Sequence, residues 1–279
     1  MNSVGRERCC TERLCRESGE GFGMRYGRLG RIFVSLATFV CWLVFPVLHA
    51  QTEYLDDENV IGWASGKYAY ISTASQVQNG EERWFLTLYA DGSRTVRATN
   101  SYNDRMKTFR DVILRVDKSF RPVEAYANVW IDGAWRGSGL FSINGDTLDA
   151  VVNGPNGRLT QTLTVPQKFS LVPHPIATDS WPTWYYDKTT GGKQEIHLYS
   201  FDGRGSGVGG ILGQLQTTSI EYVGRAEIET PAGIFLCDQF VIGEGDPNLY
   251  IFGPHRMLAK MTWELAAVEY VLSEYTGPR

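Results

Sequence analysis

The sequence predicts an all-β protein, an antiparallel meander that forms a half-open or closed barrel around an apolar cavity. Three observations carry this prediction. Asn-Gly and Asp-Gly pairs recur at Asn79-Gly80, Asp91-Gly92, Asp132-Gly133, Asn144-Gly145, Asn153-Gly154 and Asn156-Gly157. Both residues of such a pair tolerate the positive φ that a tight hairpin turn requires. The runs between the pairs are short and rich in aromatic and β-branched residues, which suit a pleated, half-buried surface. No long stretch after Ala50 shows a clean helical period.

Taken in chain order, the first element is a charged, cysteine-bearing segment, residues 1–23, with Cys9, Cys10 and Cys15 but no apolar periodicity. It reads as a non-native start or an extension. Residues 24–50 read as a signal peptide. Arg25, Arg28 and Arg31 precede an apolar run from Ile32 to Leu48, and Ala50 supplies a small residue at the cut. Pro46 interrupts the run near the length a membrane span needs, so an uncleaved anchor is the weaker alternative. The expected location is therefore periplasmic or secreted.

Residues 51–279 form the expected single domain. Four of the five cysteines precede it, which leaves Cys237 without an internal disulfide partner. Removing the first 50 residues also removes seven Arg and four Glu, taking the net charge from −4 to about −7. A mildly acidic, mixed surface argues against nucleic acid as a partner and does not indicate membrane contact. Strands are expected at 67–73, 83–89, 112–116, 125–131, 195–201, 234–242 and 269–275, within a meander of roughly 10 to 14 strands. Both faces of 83–89 are apolar, with Trp84 and Leu86 on one and Phe85 and Tyr89 on the other. That pattern fits a strand with a lined interior on one side and a cover on the other. Residues 165–190 hold four prolines and lack alternation, so they read as a structured connector.

Candidate chemistry centres on that connector. His174, between Pro173 and Pro175, sits on a stiff extended path, and Asp179 is placed to orient it as a general base. Trp181, Trp184, Tyr185 and Tyr186, with His197 from the next strand, are the expected ligand-binding walls, although a satisfied strand histidine is the simpler reading of His197. The histidines lack metal-ligand spacing, so no metal and no cofactor are expected. Gly205, Gly207 and Gly210 match Gly-x-Gly-x-x-Gly, yet a strand region follows instead of the helix a nucleotide site needs. The segment reads as a loop, a candidate lid. Cys237 lies in an apolar run and reads as a buried structural thiol.

Several stretches of the second half (Pro173-His-Pro, Asp179-Ser-Trp181, 221–224, 230–235 and 270–275) resemble uncharacterised exported proteins of Gram-negative bacteria. The curved sheet of those proteins is similar to that of periplasmic lipoprotein carriers and lipocalin-like barrels. The resemblance covers about half of the chain beyond Ala50 and implies a barrel, with no catalytic set. The expected function is a periplasmic binding or carrier protein for a lipid or other hydrophobic small molecule. The alternative is a cofactor-independent isomerase, cyclase or lyase that uses His174 as base.

Overall fold

The computed structural model describes residues 59–103, 107–201 and 211–278. The expected start, signal and glycine-loop segments (1–23, 24–50 and 203–210) lie outside the described residues. Hairpin follows hairpin through β1 (Val60–Ser72), β2 (Gln78–Tyr89), β3 (Arg94–Tyr102), β4 (Thr108–Val116), β5 (Pro122–Ile131), β6 (Ala134–Asn144), β7 (Thr147–Gly154) and β8 (Gly157–Thr164). A connector then carries β9 (Phe169–Val172) and two short 3-10 turns, Ile176–Thr178 and Trp181–Tyr185. The chain resumes as β10 (Gln194–Phe201), β11 (Gly213–Thr230), β12 (Gly233–Ile242), β13 (Asn248–Phe252), β14 (Met257–Trp263) and β15 (Val268–Thr276).

All 15 strands belong to one sheet, in the order β8-β7-β6-β5-β4-β3-β2-β1-β15-β14-β13-β12-β11-β10-β9. Every neighbouring pair is antiparallel except β9 with β10. The first and last strands meet mid-sheet, with Tyr70 opposite Tyr270. The sheet ends, β8 and β9, do not pair with each other, so the barrel is half-open. Four of the six turn pairs sit at hairpin turns: Asp91-Gly92, Asp132-Gly133, Asn144-Gly145 and Asn156-Gly157. Asn79-Gly80 instead lies inside β2 and Asn153-Gly154 ends β7. The physical reason at Gly80 is space, because a Cβ there would come within 2.7 Å of the Tyr70 ring and 2.9 Å of Tyr102.

Alternation sorts the side chains. Ala64, Tyr68, Trp84, Leu86, Val96, Leu114, Phe141 and Leu148 point inward and are almost fully buried. The outer face of β2 is not covered. Phe85 stacks on Trp63 with ring centroids 5.8 Å apart, and both rings remain nearly half exposed.

The end of the sheet formed by β9 and β10 rolls inside the rest. Phe141 of β6 packs on Phe201 at 4.6 Å and on Tyr199 at 6.0 Å. The Tyr199 hydroxyl donates to Gln161 of β8 at 2.6 Å and accepts from the Gly213 amide at 2.8 Å. A Cβ at Gly213 would stand 2.2 Å from the Ser200 carbonyl oxygen, a backbone atom that cannot swing away. Gly213→Ala is therefore expected to force β10 and β11 apart and cost about 1–3 kcal/mol, the usual scale of overpacking. A denaturant midpoint unchanged from wild type would refute it.

Candidate functional site

The connector runs through the barrel interior and is fastened to both halves. From the first half, Glu82 is fully buried on the inward face of β2. Its Oε2 accepts the Ile176 amide at 2.8 Å and the Tyr70 hydroxyl at 2.7 Å, while Oε1 accepts the Ala177 amide at 2.9 Å. Asn100 Nδ2 donates to the His174 carbonyl at 2.9 Å. From the second half, the Ser180 hydroxyl donates to the Arg256 carbonyl, and Arg256 Nε donates to Thr183 Oγ1 at 2.9 Å. The Arg256 guanidinium also lies over the Phe240 ring. Burial lowers its pKa to about 10, which still leaves it charged at neutral pH.

Between the connector and β10–β14 lies a cavity of about 240 Å³. Leu198, Ile242, Leu249, Met261 and Trp263 form much of its apolar wall. Its polar side is made by His174, Asp179, Ser200, Gln216 and Thr218. His174 adopts φ +66°, a left-handed conformation uncommon outside glycine, on a segment held by the Asn100 bond. Its Nε2 stands 3.2 Å from the Phe201 carbonyl oxygen and 3.4 Å from Ser200 Oγ. A carbonyl can only accept, so Nε2 donates to it.

Asp179 is the second unusual group. Its Oδ1 is buried without a hydrogen-bond partner, a costly state for a carboxylate. Burial, aided by repulsion from Glu82, pushes its pKa up to about 8, against an opposing pull from Arg110. Burial also raises Glu82, to about 7, although its amide and hydroxyl donors favour the anion. The partner with hydrogen-bond donors, Glu82, ionises first. Near neutrality Glu82 is thus about half ionised, while Asp179 stays mostly protonated and can donate a hydrogen bond.

His174 and Asp179 are the two sequence-identified residues brought to this cavity. The five expected wall residues are not among those that line it. Trp181 is buried edge-on to Phe120 at 5.6 Å, and Trp184 covers the same ring at 4.8 Å with its outer side exposed. Tyr185 donates to the Phe169 carbonyl at 3.0 Å. Tyr186 donates to the Gly192 carbonyl at 2.9 Å and packs on Phe240. His197 Nδ1 lies 3.1 Å from Thr217 Oγ1, beside Glu195 at 3.4 Å, on the opposite face of β10 from Leu198 and Ser200. These side chains anchor the connector and the rolled end of the sheet. Cys237 is fully buried and its thiol is pushed up to about 12, which makes it inert as a nucleophile.

No protein-family model and no curated protein matches the sequence. Among solved structures, the chain is similar to a β-barrel-like protein of the domain of unknown function DUF1849 from Brucella abortus. That match has 7% identity and a TM-score of 0.47, and covers 79% of this chain and 100% of that one. It is also similar to a DUF1089 family protein from Pseudomonas aeruginosa, with 12% identity and a TM-score of 0.39, covering 64% and 87% of the two chains. Both organisms are Gram-negative bacteria.

The residue that sequence reasoning missed is Glu82. Its signal was present, since Glu82 shares parity with Trp84 and Leu86 and so puts a carboxylate on the core face of β2. A larger groove of about 500 Å³ lies along β2–β5, beside Arg83, Phe85, Arg97 and Tyr126. Its floor is largely paired with itself, Thr99 to Asp111 and Asn128 to Tyr126, each at 2.7 Å. Among the described residues no cluster of His, Cys, Asp and Glu could hold a metal ion, and no helix is long and apolar enough to cross a membrane.

Proposed function

We propose that the protein is an exported binding or carrier protein, periplasmic or secreted, whose ligand is a small hydrophobic molecule with one polar end. The observation that carries this reading is the cavity beneath the connector, apolar over most of its wall and polar where His174, Asp179 and Ser200 converge. Ligand sites commonly have this form, apolar walls with a few placed polar groups. A volume of about 240 Å³ would hold about eight water molecules. It suits a single short chain or ring, or the end of a lipid, better than a whole diacyl lipid. At the polar end, protonated Asp179 can donate to the ligand's head, so a hydroxyl or carboxylic acid head offers it the acceptor it lacks.

One observation favours a second reading. A carboxylic acid kept protonated to about pH 8, lining the same cavity as a histidine, also supplies the parts of an acid–base pair. It suits a cofactor-independent isomerase, cyclase or lyase with His174 as base.

Native mass spectrometry of protein purified gently from an exporting host tests the first reading. A bound species released on denaturation is expected, and Leu249→Trp, which fills the cavity, should abolish it. A clean apo mass from every preparation counts against the carrier. His174→Ala separates the two readings once the ligand is known. A carrier loses binding modestly, whereas an enzyme loses about 100-fold or more in rate.

A further inference from the structure

We propose that β8 is a homodimerisation edge, on which two copies of the chain pair antiparallel about a two-fold axis through Gln161. Among the described residues β8 ends the sheet, and one side of its backbone has no ladder partner there. It runs for eight residues in unbroken register with β7, without a bulge. Natural edge strands are usually protected by charge, proline, bulges or brevity. β8 has none of these within 159–164, and its single charge, Arg158, stands at the start. The opposite end of the sheet differs, since β9 is four residues long and its Phe169, Ser170 and Leu171 are buried in the rolled interior.

The occupant is written in the strand itself. Leu159-Thr160-Gln161-Thr162-Leu163 reads the same in both directions. A two-fold antiparallel pairing centred on Gln161 places Leu159 of each copy opposite Leu163 of the other, and Thr160 opposite Thr162. Threonine–threonine pairs are favourable cross-strand partners, and facing leucines remove apolar surface from water. An isologous contact requires such self-complementarity, whereas an edge for a foreign peptide has no need of it.

The phase of the ladder agrees with this axis. The Val165 amide bonds the Asp146 carbonyl at 2.7 Å, just beyond the β7–β8 pairing that begins at Gly154 and Gly157. Gly157, Leu159, Gln161 and Leu163 therefore spend their backbone groups on β7, and those of Arg158, Thr160, Thr162 and Thr164 point away. In the dimer, Thr160 and Thr162 exchange hydrogen bonds across the axis. The two Gln161 residues form a non-hydrogen-bonded pair, with Cα atoms about 4.5 Å apart.

Two variants test this on protein purified from an exporting host. Thr160→Pro removes an outward N–H that β7 does not use, so the fold should survive while the dimer contact is lost. Gln161→Cys puts a thiol on the axis at a separation that a disulfide spans. Wild type is expected to sediment at twice the chain mass. Thr160→Pro should sediment at the chain mass with its melting transition retained. With both proteins taken as residues 51–279, where the buried Cys237 is the one native cysteine, oxidised Gln161→Cys should run as a reducible dimer and oxidised wild type should not. A wild type that stays monomeric to its highest soluble concentration overturns the proposal. So does a dimer that survives Thr160→Pro and fails to cross-link through Cys at 161. Should Thr160→Pro fail to fold, the cross-link alone decides.

Discussion

Glu82→Ala is expected to remove about 3–5 kcal/mol of stability, a large share of what a domain possesses. The change leaves the Ile176 and Ala177 amides and the Tyr70 hydroxyl without their shared acceptor in the interior. Each orphaned donor costs about 1–3 kcal/mol, and local relaxation recovers part of the total. Glu81→Ala, one residue away, is the internal control. Its carboxylate pairs with Lys67 at 2.8 Å on the outer face, and such pairs contribute about 0–1 kcal/mol. Urea or guanidinium unfolding of both variants makes the measurement. Equal losses at the two positions would refute the role assigned to Glu82. Because the carboxylate holds the segment that roofs the cavity, Glu82→Ala should also lower ligand retention at temperatures where the protein remains folded.

Stability is expected to fall as pH rises from about 6.5 to 8, against the usual behaviour of carboxylates. Asp179 ordinarily titrates at 3.8 and in the fold at about 8. Glu82 ordinarily titrates at 4.5 and in the fold at about 7. Between those limits the native state keeps protons that the unfolded chain has released. The contribution of each group is thus complete below its unfolded pKa and is lost as pH rises through its folded one. The limiting slope is about 1.4 kcal/mol per pH unit for each group. His255 acts in the opposite sense below its ordinary 6.5, because burial lowers its pKa, which is why the window starts there. The outer carboxylates Glu81, Asp187 and Asp238 are shifted downward and exert their effect in acid, outside the window. Denaturant midpoints at half-unit pH intervals provide the test. Asp179→Asn should flatten the upper part of the slope, and a wild-type stability that rises across the window would contradict the assignment.

Most of the architecture was legible because strand and turn signals are local. Asp132-Gly133 and Asn144-Gly145 announce tight turns, and the expected runs at 195–201, 234–242 and 269–275 each fall within β10, β12 and β15. The rolled edge was not legible. Whether Phe201 meets a ligand or Phe141 depends on a pairing between distant strands, which leaves no mark on either segment. The same limit applies to Trp181 and Trp184. An aromatic connector looks alike whether its rings surround a ligand or clasp Phe120 in a remote turn. His174 and Asp179 could be singled out because prolines and a nearby carboxyl are local features. The left-handed backbone of His174 and the orphaned Oδ1 of Asp179 required the surrounding atoms.

The central pairing of β1 with β15 governs the order in which the molecule can be made. Within each half of the sheet, neighbouring antiparallel strands are also neighbours in sequence, so their loops are short and quick to close. The seam between Ser65–Ser72 and Val268–Thr276 instead joins residues about two hundred positions apart. Such distant closure is slow. A chain emerging from the ribosome can form its early hairpins, but it must leave β1 with one bare edge until the last strand is synthesised. Tyr68 likewise waits for the Leu258 carbonyl, its buried hydrogen-bond partner. A polypeptide built this way stays incompletely folded throughout its synthesis.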